Sequence, residues 1–537
     1  MRNSDIVARH PNVRNKRRLL LIFPRYAHSF GTFQHAYPLM PGVRAFMPPQ
    51  GILLLAAYLP ERWETRFIDE NLDDVTEADY AWAEAVCVTG MHVQRPRIEA
   101  LIAAAHRHHK SVAVGGPSVS AAPDYYPEAD YLHLGEIGDA TDQLIARFDA
   151  STDRPAEQVV LETVDRLPLQ RFPEPAYHLA NMQQYFLGSV QFSSGCPFLC
   201  EFCDIPALYG RNPRLKTPTQ VVAELDTMLQ NGLRNAVYFV DDNFIANPAA
   251  ARDLLPHLIK WQQRIGYKIQ LSCEATLNLA SYPDILAMMR DANFATVFVG
   301  IETPEPAALD MMRKTQNMRQ PILDSIRTFN EYGLEVVSGI ILGLDSDTPG
   351  TADRIIEFIE ASQIPMLTIN LLYALPKTRL YDRLRKADRL SDDPDRASNV
   401  VFNMPYDDVM NMWERVIRHA YDPARLLARF AYQCEHTYPN RVDAVRQVDW
   451  DIIRFGASTV GRTLWRVGYK NDWRRAFWDV AAPLLRQGRI EEIMHIGIVS
   501  HHLVTFARQC ATGEAEASFY ADPGRTDTPA QAPTPTR

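Results

Sequence analysis

The chain is short of cysteine, with seven in 537 residues, a density too low for a disulfide-stapled secreted domain. It also lacks a long apolar run. The longest clean one, Gly51 to Leu59, falls well below the roughly 20 residues a membrane-spanning helix needs. No secretory signal is visible, since Arg14, Lys16, Arg17 and Arg18 lead straight from a polar N-terminus into a strand-like stretch. Positive charge is in deficit too. A net charge of −9 argues against a general nucleic-acid binder, whose affinity rests on a basic surface. Neither a GxGxxG nor a P-loop glycine pattern occurs, so neither a dinucleotide nor a nucleotide-phosphate site of those kinds is indicated. These absences predict a cytoplasmic protein in a reducing compartment. What remains is ordinary globular composition, 46% hydrophobic and 23% charged, in a chain long enough for two or three domains.

The first part of the chain alternates strand and helix. Leu19-Leu20-Leu21-Ile22-Phe23 is almost wholly apolar, as a strand buried on both faces of a parallel sheet would be. Similar runs recur at 65–68, 85–89, 111–114 and 131–134, with helix-length amphipathic stretches at 49–59 and 96–108 between them. Five such repeats predict a doubly wound α/β domain over residues 1–150, which would bind ligands beyond the carboxyl ends of its strands. Two of those ends carry glycines that let a bulky ligand come close: Gly115-Gly116-Pro117-Ser118 and Gly135-Glu136-Ile137-Gly138. Residues 151–188 are proline-rich and irregular, and are expected to form a connector.

Three cysteines then fall within eight residues, Cys196-Pro-Phe-Leu-Cys200-Glu-Phe-Cys203. A loop of that length spans at most about 25–29 Å fully extended, so the three thiolates can meet on one small metal centre. An iron–sulfur cluster is held by such thiolates, and three protein ligands would leave one iron of a four-iron cluster open. A zinc site is the other reading. It wants a fourth ligand, which Cys273, Cys434 or a histidine would have to supply.

After the cysteines the strand pattern resumes at 236–240, 268–272, 296–299, 335–338 and 367–370. With the run at 189–192 these make six strands, expected to form a partial (β/α)6 barrel over residues 189–394. In such barrels function lies at the carboxyl ends of the strands. Those ends are acidic or glycine-bearing here: Asp241 and Asp242, Ser272 and Glu274, Glu302, then Gly339, Gly343 and Asp345. A single carboxylate at such a place is often only a helix cap. Five in equivalent places point to a shared ligand. Residues 395–511 read as all-helical, rich in Trp, Tyr and Arg between Arg462 and Trp478, and 512–537 as a disordered Pro/Thr/Ala tail.

The Cys-x3-Cys-x2-Cys spacing with Phe202 before its last cysteine resembles the radical S-adenosylmethionine (SAM) enzymes. In that family the open iron of a [4Fe-4S] cluster chelates the amino and carboxylate groups of SAM, whose reductive cleavage gives a 5′-deoxyadenosyl radical. The resemblance implies that Cys196, Cys200 and Cys203 hold the cluster. Asp241 and Asp242 would receive the SAM amino group, and Ser272 and Glu274 its ribose or carboxylate. Glu302 and the stretch from Gly339 through Gly343 to Asp345 would face ribose and adenine, with Phe202 on the adenine edge. A GGP turn and a Gly-Glu turn placed before such a core resemble the cobalamin-binding domain of the B12-dependent subclass, which implies a cobalamin site at Gly115, Gly116, Ser118, Gly135 and Glu136.

Two departures stand out. The Asp-x-His-x-x-Gly pattern that supplies a lower cobalt ligand in many cobalamin proteins reads here Tyr26-Ala-His28-Ser-Phe-Gly31. The aspartate that would orient the imidazole is missing, so neither His28 nor His92 is expected to be required. In the Pro-Gly-Thr-x-x-Tyr segment that closes these cores, Lys377 takes the place of glycine. The segments 37–51 and 203–217 are similar to the hopanoid C-2 methylases and their paralogues. That resemblance implies methyl transfer from methylcobalamin to an unactivated sp3 carbon of a hopanoid-like lipid, a second SAM restoring the methyl group. It implies an electron donor such as flavodoxin or ferredoxin, no nucleic acid, and a peripheral contact with the inner face of the membrane. Another lipid or natural product is the alternative substrate, and a non-catalytic cobalamin or iron–sulfur sensor the alternative class.

Overall fold

The computed structural model describes residues 16–515 except 394, 445, 446, 448 and 449; most of the expected tail lies outside the described residues. The first sheet contains β1 (Arg17–Phe23), β2 (Trp63–Asp69), β3 (Ala85–Thr89), β4 (Ser111–Gly115), β5 (Tyr131–Leu134) and β6 (Val159–Glu162). All pairings are parallel, in the order β2-β1-β3-β4-β5-β6. The order reverses direction at β1 and β3, where a doubly wound sheet opens its ligand crevice. Period-two alternation sorts its side chains. Leu20 and Ile22 join a core with Val86, Val88, Ile98 and Ile102, while Leu19 and Leu21 join the main core on the other face. β6 corrects the expectation of an irregular connector from residue 151. Its short run Val159-Val160-Leu161 lies among polar and proline residues and becomes a strand by pairing with Tyr131–Leu134.

The second sheet is built from β7 (Gly188–Val190), β10 (Ala236–Phe239), β11 (Gln270–Ala275), β12 (Phe294–Glu302), β13 (Glu335–Leu342) and β14 (Met366–Leu371). Its order β14-β13-β12-β11-β10-β7 is parallel throughout and does not close on itself. Between β7 and β10, β8 (Ser193–Ser194) and β9 (Arg214–Leu215) pair antiparallel and bracket the three cysteines.

The open side of this half-barrel is covered from both ends of the chain. Along the β7 side, the Phe186 and Leu187 N–H groups donate to the carbonyls of Ala45 and Phe46. Along the β14 side, the Trp413 indole donates to the Ile369 carbonyl at 2.9 Å and the Tyr421 hydroxyl to that of Leu367. The helix Ile490–Thr512 then bridges the gap: His502 Nε2 meets the Phe30 carbonyl at 3.1 Å, and Gln509 meets His35 at 2.7 Å. Among the described residues, no helix is long and apolar enough to cross a membrane.

Candidate active site

The cysteine loop is fixed before any cofactor arrives. Asp241, at the end of β10, is fully buried and accepts from the N–H groups of Phe192 and Ser193 and from the Ser193 hydroxyl, at 2.7, 3.0 and 2.8 Å. Asp242 accepts from the Gly195 N–H at 2.7 Å. The aspartate pair therefore anchors the strand-to-loop turn from which Cys196 departs. On the far side, the Glu201 N–H donates to the Met312 carbonyl and the Leu380 N–H to the Glu201 carbonyl. All three thiols are half-buried. Burial pushes Cys196 up to about 11 and Cys203 higher, and deprotonation of ligand thiols would accompany metal binding. No three Cys, His, Asp or Glu side chains among the described residues are arranged to hold one metal ion. Three thiols on one short loop suit a multi-iron cluster.

A second layer was not legible in the sequence. The segment 312–317 folds over the cysteine loop, carrying Lys314 and Gln316. Gln316 Nε2 donates to Cys200 Sγ at 3.4 Å. The buried Lys314 ammonium pairs with Glu302 and lies 5.5 Å from the centre of the Phe202 ring. Burial opposes the lysine's charge, but Glu302 and Cys200 outweigh it and hold its pKa above the ordinary value. Phe202 is thus packed in the loop beside Lys314, and Glu302 is committed to a lysine. Lys-Thr-Gln-Asn has neither apolar period nor motif spacing, so only the tertiary fold brings it to the cysteines.

The carboxylates gather at one end of the half-barrel. Burial, reinforced by neighbouring carboxylates such as Asp241, raises Asp242 and Glu274 to about 7, and burial lifts Asp241 to about 6. The Tyr238 hydroxyl donates to Glu274 at 3.1 Å. Ser272, two residues back on β11, donates to the Val237 carbonyl at 3.3 Å. A desolvated acidic group of this kind gains from any cation that enters. From here a cavity of about 970 Å³ runs down the half-barrel, lined by Glu274, Tyr238, Ser272, Phe298, Thr368 and Asn370 and walled by the C-terminal helices. That volume lies near the top of the ~300–1,000 Å³ typical of small-molecule sites.

Other expected residues sit elsewhere. Asp345 does not face this space: Arg383 and Arg389 bind it at 2.6 and 2.7 Å and hold its carboxyl below the usual range against the effect of burial. Its role is to fasten the segment after β14. Gly343 has φ +89°, and a Cβ there would lie 2.5 Å from the Phe402 ring, so packing requires this glycine. Gly339 lies beside Glu302, whose carboxylate is 3.5 Å from the place a Cβ would take. Asp347, unremarked in the sequence, accepts from the Gly343 and Leu344 N–H groups at 2.7 and 3.0 Å.

In the first domain, Gly115, Gly116 and Gly135 occupy the expected ends of β4 and β5. Ser118 is fully buried, within 2.6 Å of the Tyr126 hydroxyl, so its hydroxyl is turned to the protein. Glu136 joins the two sheets, paired with Arg166 at 3.2 Å and with Arg214, and accepting from Ser194 at 3.0 Å. Lys377 adopts φ +63°, the left-handed conformation glycine would have taken, and its ammonium donates to the Ser120 carbonyl at 2.6 Å. His28 lies in a separate cleft with Arg25, Tyr26 and His35, while His92 lies between Ser118 and Asp204, beside the cysteine loop.

Comparison with known proteins fits this geometry. The radical SAM superfamily pattern matches residues 190–359, and a domain of unknown function, DUF4070, matches 378–516. The hopanoid C-2 methylase of Rhodopseudomonas palustris (strain TIE-1) is 55% identical over 507 residues, 94% of this chain and 96% of that protein. The chain belongs to the hopanoid C-2 methylase family of radical SAM enzymes. Two solved structures share the fold of this family member at low identity. The radical SAM methyltransferase TsrM from Kitasatospora setae, with cobalamin and a [4Fe-4S] cluster bound, is 17% identical with TM-score 0.56, over 69% of this chain and 78% of its own. The cobalamin-dependent radical SAM enzyme OxsB, with aqua-cobalamin and SAM bound, is 12% identical with TM-score 0.57, over 93% of this chain and 80% of its own.

Proposed function

We propose that this protein is a cobalamin-dependent radical SAM methyltransferase that methylates C-2 of a hopanoid. The observation that carries the reading is that a large, mainly apolar cavity reaches the acidic strand ends at Glu274. When bound, the cluster, SAM and methylcobalamin supply hydrogen abstraction and the methyl group, chemistry that an inert C–H bond requires and side chains cannot provide.

The chain's own residues position and exclude. Cys196, Cys200 and Cys203 would hold the cluster on a loop already fixed by Asp241 and Asp242. The open oxygen of Asp242 and the carboxylate of Glu274 would accept the SAM ammonium and hydroxyl groups. Phe202, held against Lys314, would border the adenine, and the Gly339 region its ribose. The carboxyl ends of β4 and β5, at Gly115, Gly116 and Gly135, would approach the cobalamin, with Glu136 keeping that edge against the cysteine loop. Apolar walls from Phe298 to Leu503 would keep water from a radical and bind a hydrocarbon skeleton by burial, worth about 25 cal/mol per Å². A low-potential donor of the flavodoxin or ferredoxin kind would deliver electrons, and a membrane would supply the lipid.

The test is anaerobic reconstitution with iron, sulfide and cobalamin, then incubation with SAM, reductant and a desmethyl hopanoid. The expected products are 5′-deoxyadenosine and the 2-methyl lipid. 5′-Deoxyadenosine without methylated hopanoid would move the substrate to another lipid or natural product. Absence of both would favour a sensor.

A further inference from the structure

The cavity has a mouth, and its surroundings have the wrong chemistry for a water-facing surface. Gln270, Ser272 and Glu274 all line the cavity. It therefore extends along β11 for about 13 Å at ~3.3 Å per residue, from the acidic end to the amino ends of the strands. There it is bounded by Arg441, His495 and the helix Trp450–Thr463, of which Ile452, Ile453, Phe455 and Gly456 are lining residues. Ile453 is also 44% exposed, so the cavity meets the outside at this helix.

The outward face of that helix is apolar. Its buried residues Thr459 and Thr463 define the inner face. At 100° per residue, Trp450, Ile453, Ala457 and Gly461 share an arc of about 80° on the opposite side, and all four are exposed. Trp450 is 83% exposed, and Trp465 and Tyr469, stacked at 5.1 Å, are 57% and 65% exposed. A surface helix normally turns polar residues outward. Exposed cations flank this stripe instead: Arg454, Arg462, Arg466 and Lys470, followed by Arg474 and Arg475, with Asp451 the only acid on the helix itself. In a chain of net charge −9, this is a local basic patch around exposed tryptophans. An apolar stripe edged by cations is the pattern of a helix that lies in a membrane interface and favours anionic lipid.

We propose that residues 450–470 dock on an anionic lipid bilayer and turn the cavity mouth at Ile453 into it, so that a lipid substrate passes from the membrane into the half-barrel at the end opposite the cysteines. The substrate part of this proposal rests on the lipid-methylase reading above; the docking part does not. A lipid that enters this way arrives ring-first, its non-polar end travelling to Glu274 and any polar end remaining near Arg441, Glu491 and Glu492 at the mouth.

The experiment is co-flotation of the purified full chain with phosphatidylcholine vesicles, with and without 30% phosphatidylglycerol, roughly the anionic content that gives a bilayer a useful surface potential. Two variants are compared: Trp450→Ser/Trp465→Ser/Tyr469→Ser, and Arg454→Glu/Arg466→Glu/Lys470→Glu. Binding is expected only with the anionic lipid, weakened at least about ten-fold by either variant, with 5′-deoxyadenosine formation in vesicle-free buffer unchanged as a check on folding. Wild-type protein that ignores anionic vesicles, or variants that bind as well as it does, would overturn the docking surface. Detergent-dispersed substrate separates the two readings. Methylation there without vesicle binding refutes the docking alone, while vesicle binding without methylation of any hopanoid supports the docking and refutes the substrate.

Discussion

Lys314 and Glu302 form a buried ion pair whose loss in halves should be asymmetric. Lys314→Met leaves a buried carboxylate unpaired and is expected to destabilise the protein by about 3–5 kcal/mol, whereas Lys314→Met/Glu302→Leu should recover much of that; urea unfolding of these two variants and the wild type measures the difference. Glu335 offers a pH signature. It is fully buried at the start of β13, beside His495 at 2.9 Å and Arg441 at 3.7 Å. Burial alone would raise its pKa, but these partners hold it below the ordinary glutamate value. A depressed carboxylate pKa adds stability that is complete above the unfolded value of about 4.3 and vanishes as pH falls through the folded one. The stability advantage of wild type over Glu335→Gln should therefore shrink as pH falls below about 5. Lys377 tests backbone strain. Its left-handed φ costs about 1 kcal/mol for a side-chain-bearing residue, similar to the hydrogen bond it gives Ser120. Lys377→Ala loses the bond and keeps the strain, so it should be the less stable, by about 1 kcal/mol; Lys377→Gly should lie close to wild type. At this scale the sequence showed three cysteines on one loop and carboxylates at the strand ends. It could not show that Asp345, Glu136 and Ser118 are engaged within the protein, because their partners Arg383, Arg214 and Tyr126 lie 38, 78 and 8 residues away.

Among the elements, the buried strands were legible because a parallel strand covered on both faces needs a nearly continuous apolar run. Their ends were less so. β12 runs from Phe294 to Glu302 and β13 to Leu342, longer than their apolar cores, since pairing rather than composition carries them on. β6 escaped notice for the related reason that its only support is β5. The helix Trp450–Thr463 shows the opposite case: its helical character was visible, but which face met the protein was not. The structure answers at Gly497. A Cβ there would lie 2.3 Å from the Thr463 side chain, so the helices Ile490–Thr512 and Trp450–Thr463 approach at the distance only glycine allows. Gly497→Val should force them apart and lower stability by about 1–3 kcal/mol, read as a fall in Tm, and Gly497→Ala by less.

Over the whole molecule, the half-barrel and the first domain meet through polar links: Glu136 with Arg166, Arg214 and Ser194, and Lys377 with Ser120. None involves His28, which sits in its own cleft. The visible spectrum of cobalamin bound to His28→Ala is therefore expected to match wild type, and a displaced cobalt band in that variant would assign the histidine a place on the metal. The cavity has a consequence for the order of events. Its mouth lies at the amino ends of the strands, while the thiols and carboxylates gather at the carboxyl ends. A lipid waiting at the mouth and a nucleoside-bearing molecule at the far end do not share a doorway. Initial-rate patterns with the two varied should show neither excluding the other, and a methylated lipid could withdraw to the bilayer while the opposite end is being replenished.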